Sequence, residues 1–164
     1  DLANDFGNLA QRVLSMIEKN CCSFIPEPGK LTDDDDALLK AATDLINEQR
    51  DCMESLSIHK ALEAEWRVVA KANRYVDAQA PWMLKNSDPK RMETVLYVLA
   101  ETIRHLAILA QPVIPTAAEK VLDLLSVPNS SRDFATLGEN GRLIPGTVLP
   151  KPIPVFPRFV ESQN

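Results

Sequence analysis

Apolar residues recur at steps of three and four in five separate stretches of this 164-residue chain, and prolines or capping residues mark where those stretches begin and end. That period lines one side of a helix, whereas a half-buried strand needs alternation by two. The first stretch, Leu2, Phe6, Leu9, Val13 and Ile17, is followed by the linker Pro26-Glu27-Pro28-Gly29. Thr32 or Asp33 can cap a second helix, whose apolar face is Leu38, Leu39, Ala42, Leu45 and Ile46 and which ends near Cys52. A third starts at Ser55 or Ser57, follows the stripe Ile58, Leu62, Trp66, Val69, Asn73 and Val76, and stops at Pro81. Ser87-Asp88-Pro89 opens a fourth, with Met92, Val95, Leu96, Leu99, Ile103, Leu106 and Ala110 inward, and Gln111-Pro112 halts it. Pro115 begins a fifth that reaches Leu125 before Val127-Pro128-Asn129. Each helix has one face to hide, so the expected architecture is an all-α, antiparallel bundle of about five helices over residues 1–137.

Beyond it the chain changes character. Five of the twelve prolines and three of the five glycines crowd residues 138–157, which excludes regular helix and predicts an extended strap over residues 138–164. Its apolar residues, Leu149, Ile153, Val155, Phe156 and Phe159, are expected to dock onto a surface. The helical register already running at Asp1, where a Met is absent, suggests a piece of a longer protein, with the strap returning towards a domain not contained in the sequence.

No apolar run reaches the ~18 residues of a membrane span, so the expectation is a cytoplasmic protein with no membrane partner. Cys21, Cys22 and Cys52 lack the spacing of a zinc knuckle, and His59 and His105 lie far apart, so no metal site is expected and the thiols should be reduced. The acidic run Asp33 to Asp36 sits at a helix start, where negative charge meets the helix dipole, and it is read as solvated rather than metal-binding. A net charge of −5 argues against broad phosphate gripping, yet residues 58–91 carry seven basic against four acidic side chains, leaving room for a small, base-directed contact.

Asn8 and Arg12 are the residues suited to such a contact. Four positions apart, they stack on the helix face opposite the apolar stripe, and an amide beside a guanidinium can read the hydrogen-bonding edges of exposed bases. Trp82 follows Pro81 at a helix terminus where no stripe claims it. It is either a stacking platform for an unstacked base or a plug for the end of the core. Trp66 and Asn73, mid-stripe, read as a core tryptophan and a structural amide bonded to backbone or to a neighbouring helix. Lys85 is either a phosphate contact or a solvated lysine.

Asn-Leu-Ala-Gln-Arg at 8–12, Ala-Asn-Arg-Tyr at 72–75 leading to Ala80-Pro81-Trp82, Gln111-Pro112-Val113-Ile114-Pro115 and Lys151-Pro152-Ile153-Pro154-Val155-Phe156-Pro157-Arg158 together resemble the C-terminal anticodon-binding domain of bacterial methionyl-tRNA synthetase, a class I enzyme. The resemblance spans nearly the whole chain. It implies a helical bundle that receives the CAU anticodon of methionine tRNAs, with Asn8 and Arg12 at the base-contacting positions and Pro81 and Trp82 at the stacking site for the first base. It also implies a parent enzyme that uses ATP and Mg²⁺, with Zn²⁺ in some catalytic domains, against which the strap would pack. Neither a His-x-Gly-His motif nor a Lys-Met-Ser-Lys-Ser loop is present, so this stretch alone should be catalytically inactive. Two other readings stay open at this level: the bundle of a related synthetase for valine, leucine or isoleucine, and a helical module that docks onto a protein through Trp82.

Overall fold

The fourth long helix is the axis of the molecule. In the computed structural model, which describes residues 2–156, the helices are α1 (Leu2–Asn20), α2 (Asp33–Glu54), α3 (Ile58–Gln79), α4 (Pro81–Ser87), α5 (Pro89–Ala110) and α6 (Pro115–Leu124). Short 3-10 turns come next, at Asn129–Ser131, Phe134–Thr136 and Gly138–Gly141. Every residue of α5 from Thr94 to Ala110 is buried, because α1, α2, α3, α4 and α6 all pack around it. The sequence predicts a broad apolar face there, and the structure buries the whole circumference. A helix apolar on most of its surface has this as its stable setting.

Consecutive long helices alternate in direction. Gln79 of α3 reaches Asp34 of α2, and Gln49 of α2 reaches Glu65, so those two helices run antiparallel. Consequently α1 and α3 run the same way, with Asp5 beside Trp66 and Arg12 beside Asp77. The expected bundle is therefore present, with one element more than the sequence suggests. Pro81 ends α3 and also begins α4: a ring with fixed φ and no N–H suits the first position of a helix as well as it stops the one before.

Two further expectations are corrected. The inward face of α3 is Ala61, Ala64, Glu65, Val68, Val69, Ala72, Tyr75 and Val76. Ile58 is exposed, while Leu62, Trp66 and Asn73 are only half-buried, so the stripe is rotated from the predicted one. Small alanines take the buried positions, and the large Trp66 lies at the edge, where its indole N–H donates to Asp5 Oδ2 at 3.4 Å. Nor is the whole acidic run solvated. Asp35 is fully buried, accepting from Tyr75 Oη (2.5 Å), Arg91 Nη1 and Nη2 (2.5 and 2.8 Å) and the Thr32 N–H (3.0 Å). Burial alone would raise its carboxyl pKa, but the bonds from Arg91 and Tyr75 outweigh that and hold it at about 2. Among the described residues, no group of three or more His, Cys, Asp or Glu is arranged to hold a metal ion.

The polar residues inside α5 organise the chain beyond α6. Glu101 and Arg104 pair within the helix, and the guanidinium donates onward to the carbonyls of Thr136 (2.9 Å) and Gly138 (3.2 Å). Glu101 Oε2 accepts the Leu143 N–H at 3.0 Å. The Gly138 N–H donates to His105 Nε2, so the ring proton sits on Nδ1 and points to the Glu101 carbonyl. His105 is accordingly held below its ordinary pKa, chiefly by burial. Gly138 has φ +76°, a conformation that favours glycine.

Residues 142–156 then follow the bundle without regular helix, turning at Pro145 and Gly146, where Gly146 has φ +82°. Around a bridge between Phe24 and Val148, the Ile25 N–H donates to the Thr147 carbonyl, the Gly146 N–H to the Ile25 carbonyl and the Leu149 N–H to the Ser23 carbonyl, and Leu143, Leu149 and Val155 are buried. At its end Phe156 lies on α1 at Gly7, where a Cβ would stand 2.6 Å from the ring Cδ2. Phe159 and Arg158 lie outside the described residues.

The Asp35 bonds give a direct test. Replacing Asp35 by Ala should lower the unfolding free energy by ~3 kcal/mol, the low end for breaking a buried pair because Arg91 keeps some solvent contact. Asp34→Ala and Asp36→Ala, at exposed positions, should change it by no more than ~0.5 kcal/mol. Because its folded pKa is depressed, Asp35 contributes fully above its unfolded value of 3.8, and that contribution drains away as pH falls towards about 2. Urea titrations from neutral to acid pH measure both effects.

Candidate nucleic-acid interface

The exposed side of α1 and the start of α4 meet at one corner of the bundle. Leu9, Val13 and Ile17 fix the rotation of α1 by burying its apolar stripe, which leaves Asn8 and Arg12 exposed on the opposite face, as their spacing predicts. Trp82 arrives from α4 by a different route. Ala80 takes a left-handed turn at φ 43°, Pro81 is buried, and the indole that comes after it is 48% exposed. Half its surface is thus free on a turn that proline stiffens.

That turn is held from below. Arg91, already bonded to Asp35, donates to Gln79 Oε1 at 2.7 Å, which pins the last residue of α3 immediately before Ala80. The same buried pair therefore stabilises the core and sets where Trp82 emerges.

Arg12 joins the two halves. Its Nη2 donates to Asp77 Oδ1 at 3.0 Å while its guanidinium carbon lies 5.9 Å from the centroid of the Trp82 ring. A cation over an aromatic face is weakly attractive, and an exposed ion pair contributes little. Together they orient the guanidinium without saturating its five donors. Beside it opens a cleft of about 700 Å³ lined by Asp5, Asn8, Gln11, Arg12, Ser15, Ala70 and Asn73. Asn73 bonds to the Val69 carbonyl at 3.2 Å and to the Asp5 carbonyl of α1 at 3.5 Å, the structural pairing expected of it. Lys85 is exposed in the last turn of α4, three positions after Trp82 and so on the same side.

Two residues of this corner escape sequence reasoning. Asp77 counts there only as a charge, since its pairing with Arg12 spans 65 positions and exists only because α1 and α3 run parallel. Gln11 has a buried Oε1 without a hydrogen-bond partner, and nothing in the spacing marks it out.

An outward amide, an oriented guanidinium and a half-exposed indole beside a polar cleft supply edge-reading donors and a stacking face at one place. The sequence model of the family described as the anticodon binding domain of methionyl tRNA ligase matches residues 25–163. The chain belongs to this family. A methionine–tRNA ligase of Rhizobium meliloti is 56% identical over 163 residues, covering 99% of this chain and 32% of that protein. The Mycobacterium tuberculosis ligase is 46% identical over 167 residues, again covering 99% and 32%.

In structure this anticodon-binding domain superposes on the free M. tuberculosis methionyl-tRNA synthetase with TM-score 0.93 at 45% identity, over 99% of this chain and 33% of that one. The same enzyme in complex with methionyl-adenylate gives 0.93 at 47% identity, over 96% and 31%. The chain thus spans about a third of the length of the relatives it matches. The family match begins after α1, whereas the alignments to relatives extend over it.

The exposure of the two indoles makes a prediction. Trp82→Ala should leave the unfolding free energy of the anticodon-binding domain within ~1 kcal/mol of the parent value, as for other surface changes. Trp66→Ala, at a half-buried position, should cost more than that and less than the ~3–5 kcal/mol of a fully buried aromatic. Thermal and urea unfolding followed by circular dichroism would measure both.

Proposed function

We propose that this domain recognises the CAU anticodon loop of methionine tRNAs. Asn8 and Arg12 read Watson–Crick edges of splayed bases, Trp82 on its Pro81 turn stacks the first base, and Lys85 adds attraction for the backbone phosphate. The observation that carries the reading is the meeting of Arg12 and Trp82 from α1 and α4, 5.9 Å apart beside a polar cleft. Discrimination comes from donors left unpaired against a wrong base, worth ~1–3 kcal/mol per contact.

The parent enzyme ligates methionine to tRNA with ATP and Mg²⁺, in the cytoplasm. We assign those groups, and Zn²⁺ where it occurs, to its catalytic part. This chain contributes selection of the tRNA, not the chemical step. Ile144, Val148 and Ile153, exposed along residues 142–156, form the face through which the strap packs on the catalytic domain. No helix among the described residues is long and apolar enough to cross a membrane.

The test uses the parent enzyme. Arg12→Ala and Trp82→Ala are each expected to lower kcat/KM for tRNA charging by ~100-fold or more, while methionine-dependent exchange between ATP and pyrophosphate stays at the parent rate. Unchanged charging, or an equal fall in both reactions, would contradict the assignment.

A further inference from the structure

On another face of the bundle, α2, α3 and the end of α5 enclose a groove of about 230 Å³ that the anticodon reading does not use. Its walls are apolar, formed by Ile46, Met53, Leu62, Leu109, Val113 and Phe134. Met53, Val113 and Phe134 are between 43% and 47% exposed, so the groove is open to solvent.

One lining residue breaks this pattern. Glu65 is 2% exposed on the inward side of α3, and it accepts a hydrogen bond from Gln49 Nε2 at 3.2 Å. A lone neutral amide is a weak counterpart for a buried carboxylate, which ordinarily needs a charged partner. Arg50, the other charged residue of the lining, is exposed and makes no ion pair with Glu65. Burial therefore pushes the Glu65 carboxyl up to about 7, offset only by Gln49. An acid held this way keeps its proton in part at neutral pH, and a cation brought in among the hydrocarbon would take that proton's place.

We infer that this groove binds a small amphipathic organic ammonium, with its charged nitrogen on the Glu65 carboxylate and its hydrocarbon body against Met53, Leu109, Val113 and Phe134. Charge complementarity selects the head group. The volume, below the ~300–1,000 Å³ of sites for drug-sized ligands, selects a body the size of a hexyl or phenethyl group. An alcohol of the same length would fill the walls and leave the carboxylate without its counter-ion.

Titration of the full chain with n-hexylammonium chloride and with n-hexanol tests this, followed by calorimetry and by the methyl shifts of Met53, Leu109 and Val113. At roughly pH 8, with Glu65 ionised, the ammonium should bind ~10-fold tighter than the alcohol, as expected for a charge-assisted hydrogen bond. Near neutral pH its binding should release a proton, seen as a dependence on the ionisation enthalpy of the buffer. At roughly pH 5.5, with the carboxyl protonated, the advantage should vanish. It should also vanish in Glu65→Gln, whose hexanol affinity stays at the parent value. If that variant does not fold, the pH comparison decides alone.

Equal affinity for the two ligands at roughly pH 8, or an ammonium preference that survives in Glu65→Gln, would overturn the proposal. So would concentration-dependent dimerisation that protects the groove methyls, since a second copy would then be the occupant. Anticodon binding does not enter any of these readouts.

Discussion

The burial of α5 on every side is the constraint on which the rest of this molecule depends. A helix enclosed from Thr94 to Ala110 cannot leave its polar groups to solvent, and four of them, Tyr97, Glu101, Arg104 and His105, are ionisable. Beyond the Glu101–Arg104 pair and the His105 bond to the Glu101 carbonyl within the helix, their partners are backbone groups from beyond α6: the carbonyls of Thr136, Gly138 and Leu143 and the N–H groups of Gly138 and Leu143. The proline-rich end of the chain is therefore tied to the core through the same cluster that makes the core tolerable, since buried polar groups are stable only when paired.

At its other end α5 contributes Arg91, and here packing becomes function. Arg91 binds the buried Asp35 at the start of α2 and Gln79 at the end of α3, so three helices are registered against one another immediately before the Ala80 turn. Pro81 fills that turn and Trp82 leaves it half-exposed. On the neighbouring side α1 lies against α3 and α5 with its apolar stripe inward, which turns Asn8 and Arg12 out beside the same corner. The proposed anticodon pocket is thus a by-product of two packing decisions, each made several residues away from the groups that would touch a base.

Much of this is legible in the sequence because it is local. The stripe of α1, the capping role of Asp88, the prolines that stop α3 and α5, and the outward pair Asn8 and Arg12 all depend on residues within a few turns of one another. The features that cannot be read there depend on distant partners. Four consecutive aspartates look alike until Arg91, 56 positions on, selects Asp35 for burial. The α3 stripe misleads because Trp66 and Asn73 are amphipathic and sit at the boundary, while the true inward face uses alanines and Glu65, which a hydrophobic count undervalues. The short helix α4 escapes notice because a proline that ends one helix gives no sign that it also begins another.

The corner formed by Asn8, Arg12 and Trp82 is proposed to receive an anticodon. The chain has two tryptophans, so replacing Trp66 by Phe leaves Trp82 as the sole indole reporter. Titrating that variant with an anticodon stem-loop bearing CAU should quench its fluorescence saturably, and stem-loops bearing GAU or CAC should quench it far more weakly at the same concentration and salt. Equal quenching by the three loops, or a fluorescence that none of them changes, would contradict the account.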